Sequence, residues 1–437
     1  MKFLRLLVLL FLPSMALAGG RYFTVEYPPS TVPGELAFGV TYTLWLPDGV
    51  EKVRGVIVHQ HGCGVGAAKG GETAAYDWHW QELAKKWDCA LIGPSYHMGK
   101  KDNCRLWCDP RNGSEKTFLR SLGEFATRSG HPELEKAPWC LWGHSGGGFW
   151  SSLMLTLHPD RVVAIFFRSG SAFGAWSRGE IPAPQLPDAI FRVPVMFIGG
   201  ARENDPLHGP ARVADRAMFK VWREHDAPAG FAVDPRTAHE CGDSRYLAIP
   251  FFDACLALRL PEKGSGSQAL RPVDMKQAWL APMDGVEAQP QDSFAGDRVA
   301  AGWLPNREIA EARAEYVKTG ATSDTSPPPA PTGLKVAATA EGVTLTWETA
   351  VDFESGLRGF IIQRDGQELA VLPEKPAGKF GRPLFQQMSY HDTPERPLPE
   401  MKYRDATAKA GQSHEYRVLA VNGVGLKSAA SEPIKTP

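Results

Sequence analysis

The feature that most constrains this chain is a serine set among glycines, in the segment WGHSGGG at residues 142–148. An apolar run at 137–142 precedes it, and a run suited to a helix follows at 149–155. Because Gly143 and Gly147 carry no side chain, a strand and a helix can close together at this point. The pattern predicts a sharp strand-to-helix turn that exposes the Ser145 oxygen, with the free N–H groups of the helix N-terminus beside it.

Other segments supply partners for this serine. An apolar strand at 55–58 leads into HQHGCG at 59–64, where the backbone N–H of Cys63 would join that of Gly146 to hold a developing negative charge. A second strand, at 193–198, is followed by GGARENDP, so carboxylates lie just beyond its carboxyl end. A later loop, at 237–242, presents His239.

The order serine, acid, histidine suits nucleophilic catalysis. His239 would take the proton of Ser145, a carboxylate would hold the tautomer of the histidine, and the backbone donors would stabilise a tetrahedral oxyanion. Such acyl transfer needs no cofactor. We also expect no metal site, because no pair of histidines at zinc spacing lies beside the cysteines.

Over roughly residues 21–260 these motifs resemble the α/β-hydrolase superfamily, and within it the secreted esterases and polyester depolymerases that carry an H-G-C loop. The resemblance implies Ser145 as the nucleophile, His239 as the base, and Cys63 and Gly146 as oxyanion donors.

The resemblance leaves two candidates for the acid. Glu203 occupies the fourth position of the family's G-x-x-D pattern when the count begins at Gly200. Asp205, followed by proline and leucine, better matches the continuation of that pattern by D-P and a hydrophobic residue. We prefer Asp205 and keep Glu203 as the alternative.

Apolar runs that alternate with helical stretches predict an α/β domain at 19–260, a mostly parallel sheet with helices on both faces. Strands are predicted at 22–27, 37–46, 55–58, 89–94, 137–142, 162–167, 193–198 and 230–233. Helices are predicted at 78–87, 115–128 and 210–224. The aromatic residues at 76–80 either line a substrate groove or, as is commoner, pack a helix on the sheet.

The C-terminal part of the chain follows another pattern. An extension at 261–324, with a predicted helix at 307–318, ends in a proline-rich linker at 325–331. Residues 332–437 then show short alternating runs, an Asp365-Gly366 turn and a buried-type Trp347. They resemble a fibronectin type III domain, an all-β sandwich, without cysteines for an immunoglobulin bridge. We expect the stiff linker to keep this sandwich from sharing a core with the hydrolase domain.

Residues 1–18 are predicted to be a secretory signal peptide, since a basic start, a short apolar run and an A-x-A site follow one another. We therefore expect a secreted or periplasmic protein with no integral membrane segment after the signal is removed. A net charge of −1 gives no basic surface for nucleic acid.

The seven cysteines leave at least one thiol free in a monomer. Cys104 and Cys108 share a polar loop where a disulfide can form in an oxidising compartment. Cys140 is expected to be a buried thiol, and the pairing of Cys241 and Cys255 is left open.

Together these features predict a secreted serine hydrolase acting on a carboxylic ester. The attached module suggests a polymeric substrate, such as an acylated polysaccharide or a polyester, because anchoring raises local concentration. A serine peptidase with the same triad is one alternative. A catalytically inactive surface-binding protein on a hydrolase scaffold is another, and the complete set of catalytic parts argues against it.

Overall fold

The structure, a computed structural model, describes residues 19–265, 269–375, 378, 384–409 and 411–436. The predicted signal peptide, residues 1–18, lies outside them. Within these ranges, none of the helices combines the length and apolar character needed to cross a membrane.

The N-terminal unit alternates strands with helices, as predicted. Its strands are β1 (Gly20–Tyr27), β2 (Val40–Pro47), β3 (Gly55–Gln60), β4 (Cys89–Tyr96), β5 (Trp139–His144), β6 (Val162–Arg168), β7 (Val195–Gly200) and β8 (Ala229–Asp234). Its α-helices are α1 (Val65–Gly71), α2 (Trp78–Lys86), α3 (Arg105–Cys108), α4 (Ser114–Ser129), α5 (Gly146–Leu157), α6 (Phe173–Ser177), α7 (Gly209–Glu224) and α8 (Arg245–Arg259). Short 3-10 helices lie at Ala74–Tyr76, Pro110–Asn112, Pro132–Glu135, Pro159–Arg161 and Asp188–Arg192.

The eight strands form one sheet in the order β1-β2-β4-β3-β5-β6-β7-β8. β1 and β2 are antiparallel to each other and β2 is antiparallel to β4, whereas every pair from β4 to β8 is parallel. The predicted fold class is therefore confirmed. The carboxyl ends of the parallel strands meet at one edge, which is where open α/β sheets bind their ligands.

Helices cover both faces of this sheet. Along β6, Ile165 and Phe167 face the apolar cluster that contains α4, α5 and α7, whereas Ala164 and Phe166 face the cluster that contains α2 and α8. This alternation is the period of two expected of a strand, and both sets are fully buried because the sheet has no solvent face.

The extension after α8 folds back onto the N-terminal unit. It contains β9 (Trp279–Pro282), β10 (Gln289–Pro290), β11 (Ala301–Leu304) and α9 (Arg307–Thr319), with 3-10 helices at Met275–Gln277 and Gln291–Ser293. Trp303 and Tyr316 join the apolar cluster under α8, and the Tyr316 hydroxyl donates to Asp234 at 2.7 Å. The predicted helix at 307–318 forms within one residue of its expected bounds.

The C-terminal unit is the predicted all-β sandwich. Its strands are β12 (Thr332–Thr339), β13 (Gly342–Glu348), β14 (Leu357–Arg364), β15 (Gln367–Leu372), β16 (Lys402–Asp405), β17 (Glu415–Asn422) and β18 (Ile434–Lys435). They form two antiparallel sheets, β12-β13-β16 and β15-β14-β17-β18, with Trp347 buried between them. Asp365 and Gly366 both have positive φ, 53° and 77°, as a tight hairpin turn requires.

The sandwich is docked on the N-terminal unit rather than held away from it. Trp78, at the start of α2, belongs to the apolar cluster of the sandwich and stacks on Phe385 with ring centroids 6.0 Å apart. Its backbone N–H donates to the Gln386 side chain at 2.9 Å. The expectation that the linker prevents a shared core is therefore wrong, because a large aromatic side chain of one unit is buried in the other. Residues 76–80 thus include a docking contact.

Candidate active site

The turn between β5 and α5 has the strain that the glycine pattern predicts. Ser145 has φ 52° and ψ −115°, a backbone conformation that residues other than glycine rarely adopt outside strained functional turns. A Cβ at Gly143 would lie 2.6 Å from the Gly147 carbonyl oxygen, so the strand and helix could not close around any larger residue. Ser145 keeps partial exposure at the carboxyl edge of the sheet, whereas both its neighbours are buried.

The loop after β3 lies directly against this turn. A Cβ placed on Gly62 would be 2.9 Å from the Cβ of Ser145, and one on Gly146 would be 3.4 Å from the Cys63 nitrogen. Within the described residues, neither the Cys63 amide nor the Gly146 amide donates a hydrogen bond. Two unpaired N–H groups beside a serine oxygen are suited to stabilise an oxyanion.

A disulfide fixes this loop, and it is not the one expected. Cys63 pairs with Cys104, at a Cα separation of 5.7 Å, and Cys108 remains a buried thiol. Cys104 immediately precedes α3 and Cys108 is its last residue, and the expected pairing within this segment is replaced by one between residues 41 positions apart. The three sulfur atoms lie within 4.8 Å of one another. Cys140, Cys241 and Cys255 are buried thiols.

Glu203, not Asp205, meets the candidate base. Its Oε1 accepts the Nδ1 proton of His239 at 2.5 Å, while Oε2 accepts from the Ser169 hydroxyl at 2.7 Å. The carboxylate is 1% exposed. Burial opposes its ionisation, but the hydrogen bonds from His239 and Ser169 and the charge of Arg168 outweigh burial and hold its pKa below the ordinary value.

Asp205 serves the neighbouring turn instead. Its carboxylate accepts the backbone N–H groups of Leu207 and His208, each at 3.0 Å, and contacts Nδ1 of His208 at 3.1 Å. Its side chain is 44% exposed. Asp is suited to such local backbone bonds. The structure therefore brings Glu203, the alternative acid, to His239 and places Asp205, the preferred acid, at the neighbouring turn.

The serine and histidine segments are joined through His144. Nε2 of His144 lies 2.8 Å from the carbonyl oxygen of His239, and the two rings are 4.9 Å apart. Among the described residues the Ser145 hydroxyl makes no hydrogen bond, so Ser145 and His239 are not hydrogen-bonded to each other in this structure. Such bonds often tighten only when substrate binds.

Sequence reasoning missed Arg168, the last residue of β6. This fully buried guanidinium donates to the Thr237 hydroxyl at 2.9 Å and to backbone carbonyls of the loop that carries His239, including those of Ala238 and Glu240. It also donates to Ser169, which in turn holds Glu203. The available signal was a charged residue directly after the apolar run at 162–167.

Comparisons with known proteins give distant likenesses. No protein-family model and no curated relative matches the chain. Among solved structures, an S-formylglutathione hydrolase from Agrobacterium tumefaciens is 15% identical, covers 55% of this chain and 94% of its own, and has a TM-score of 0.36. A dienelactone hydrolase from Anabaena variabilis is 15% identical over 55% of this chain and 99% of its own, with a TM-score of 0.32.

The C-terminal unit has its own likenesses. An Fn3-like protein from Clostridium thermocellum is 19% identical, covers 25% of this chain and 92% of its own, and has a TM-score of 0.17. At these distances the fold assignment rests on the strand order and the two antiparallel sheets, and the interpretation of the site rests on its own geometry.

Proposed function

We propose that this chain, an α/β-hydrolase fold carrying a docked fibronectin type III-like sandwich, is a serine hydrolase that cleaves carboxylic esters. One observation carries the proposal: the buried Glu203 carboxylate accepts the Nδ1 proton of His239 at 2.5 Å, at the sheet edge that also holds the strained Ser145. A histidine whose tautomer is fixed in this way keeps a lone pair on Nε2, as a general base requires.

The chemistry follows from these atoms. Ser145 Oγ would attack the ester carbonyl carbon while Nε2 of His239 takes its proton, and the N–H groups of Cys63 and Gly146 would hold the oxyanion. Collapse of the tetrahedral intermediate expels the alcohol, which receives that proton, and leaves an acyl group on Ser145. Water activated by the same histidine then releases the acid. No cofactor enters either half of this cycle.

We place the reaction outside the cytoplasm, in a secreted or periplasmic protein. The predicted signal peptide supports this location, and so does the Cys63–Cys104 disulfide, since disulfides persist in oxidising compartments. A polymeric substrate stays a prediction. The argument for it took the sandwich to be an anchor on a linker, and the docked position of the sandwich is compatible with another role.

The test begins with Ser145→Ala in the full chain. Loss of the covalent route should lower ester turnover by on the order of 10⁴-fold or more, without loss of the fold. A fluorophosphonate should label the wild type at Ser145 and not the variant. Ser177→Ala, which alters an exposed serine on α6, is the matched control and should leave turnover and labelling unchanged.

The substrate panel decides between the alternatives. Short-chain nitrophenyl esters, acetylated xylan, feruloyl esters and peptide amides should be compared with the same enzyme preparation. Measurable turnover of peptide amides, whatever the rate on nitrophenyl esters, would replace the proposal with a peptidase. Absence of both labelling and turnover would favour an inactive binding protein on a hydrolase scaffold.

A further inference from the structure

A segment of the sandwich, residues 384–396, reaches the candidate active site. It is held there by a buried ionic cluster in which Arg245, at the start of α8, bonds Asp392 at 2.9 Å and Asp77 at 2.6 Å. All three side chains are at most 2% exposed. A buried cluster of this kind fixes geometry, because displacing Arg245 would leave two buried carboxylates without a counter-charge.

The residues just before Asp392 contact the two loops that form the site. The carbonyl oxygen of Tyr390 accepts the backbone N–H of Cys241, two residues after His239, at 3.2 Å. Nδ1 of His391 lies 3.3 Å from Nδ1 of His144, the residue before the nucleophile. The sandwich therefore touches both the nucleophile turn and the loop of the candidate base.

The other side of His391 faces α1, the helix that follows the loop containing Cys63. A Cβ on Gly66 would lie 3.3 Å from Nε2 of His391, and one on Gly70 would lie 3.4 Å from its Cβ. The ring is thus packed between α1 and His144, so its orientation is fixed by contacts on two sides.

The hydrogen bonds of His144 determine which atom donates. A carbonyl oxygen only accepts, so Nε2 of His144 carries the proton that it gives to His239 O at 2.8 Å. Burial, with the charges of His239 and His391, lowers the pKa of His144 well below its ordinary value, so the ring is neutral. Its Nδ1 is then an acceptor, and the Nδ1–H of His391 is the donor.

We infer that His391 is a positioning residue for catalysis, acting through His144 on the loop that holds His239, so that the sandwich is a working part of the catalytic centre. The inference rests on the proposed function. It predicts that His391 affects the rate of the chemical step, since a small displacement of a base can cost on the order of 10²-fold.

The test uses two substitutions of similar size in the full chain. His391→Asn keeps an N–H donor near the position of Nδ1, whereas His391→Leu removes it. We expect kcat on a soluble nitrophenyl ester to fall about 10-fold to 10²-fold in the leucine variant and within about threefold in the asparagine variant, with KM nearly constant. His414→Leu is the matched control, because His414 bonds Asp365 elsewhere in the sandwich.

Three results would overturn the inference: unchanged kcat in His391→Leu, equal losses in the two variants, or a change confined to KM. Failure of the proposed function is seen separately, as ester turnover that survives Ser145→Ala. Histidine-selective ¹⁵N spectra provide a readout that does not depend on activity. Nδ1 of His144 should show the shift of a hydrogen-bonded acceptor in the wild type and lose it in His391→Leu, and an unchanged shift would contradict the inference.

Discussion

Two buried arginines hold segments of the candidate site in place, and their charges are compensated in different ways. Arg168 lies inside the hydrolase sheet and is surrounded by hydroxyl and carbonyl oxygens of residues 169 and 237–241, with Glu203 as the nearby carboxylate. Arg245 lies at the seam with the sandwich and forms direct ion pairs with Asp77 and Asp392.

The difference separates electrostatic tuning from docking. Arg168 donates to the loop of His239 and stabilises the charge on Glu203, so it acts on the geometry and protonation of the candidate triad. Arg245 holds two carboxylates from different units, so it acts on the attachment of the sandwich. Substitution of Arg168 should therefore lower activity more than stability, whereas substitution of Arg245 should lower stability more than activity.

The largest effect that tests this comparison is expected at Glu203, the carboxylate whose charge Arg168 stabilises. If Glu203 orients His239, Glu203→Gln should lower kcat by roughly 10² to 10⁴-fold, because the amide cannot favour the required tautomer. Asp205→Asn, in the exposed neighbour, should cost less than about tenfold. Steady-state kinetics on a soluble ester measure both, and circular dichroism checks the fold.

The opposite ranking of these two variants would return the role of the acid to Asp205. It would also remove the link between Arg168 and the triad, since Asp205 bonds His208 rather than Ser169.

The next effect compares the arginines themselves. Arg168→Leu should lower kcat by on the order of 10²-fold, because the loop of His239 loses its donors. Arg245→Leu leaves two buried carboxylates without a counter-charge and should lower the free energy of unfolding by about 3–5 kcal/mol. Kinetics and urea unfolding of both variants show which property each arginine controls.

The docking role has a direct control. A protease site placed in the mostly exposed linker, 325–331, should leave the two wild-type units eluting together after cleavage, whereas cleaved Arg245→Leu should separate. A loss of kcat in folded Arg245→Leu that exceeds the loss in His391→Leu would mean that Arg245 acts on the catalytic groups by more than docking the sandwich.

Much of the fold and part of the candidate site could be predicted because their signals are local. The glycines around Ser145 and the loop containing Cys63 are fixed by backbone requirements within a few residues. His239 follows a recognisable strand, and the alternation of apolar runs gives the sheet. Each of these depends on neighbours in the sequence.

The remainder depends on contacts between distant segments. The choice of Glu203 over Asp205 is decided by which side chain turns inward, and the partner of Cys104 lies 41 residues away. The role of Arg168 in holding the loop at 237–241 becomes apparent only when that loop folds against its guanidinium. Docking of the sandwich through Trp78 depends on side-chain contacts that no linker composition reveals.

The smallest effect concerns the ionisation of Asp392, which shares the guanidinium of Arg245 with Asp77. Burial raises the pKa of Asp392 to about 7; Arg245 opposes this rise, and the negative charge of Asp77 adds to it. The unfolded value is about 4, so the folded state binds this proton more tightly. The stability that Asp392 contributes is then full below pH 4, falls as the pH rises to 7, and is constant above.

Asp392→Asn resembles the protonated acid, keeps an oxygen for Nε of Arg245 and does not titrate. Its free energy of unfolding, relative to the wild type, should rise from pH 5 to pH 8 by on the order of 2–3 kcal/mol, and the rise should level off above pH 7. Urea unfolding at pH 5, 6, 7 and 8 measures this difference. Asp226→Asn, in a side chain that is 83% exposed, should show no such trend. A difference that stays constant from pH 5 to pH 8 would mean that Asp392 is already ionised in the folded state at pH 5, with Arg245 compensating the charge of both carboxylates.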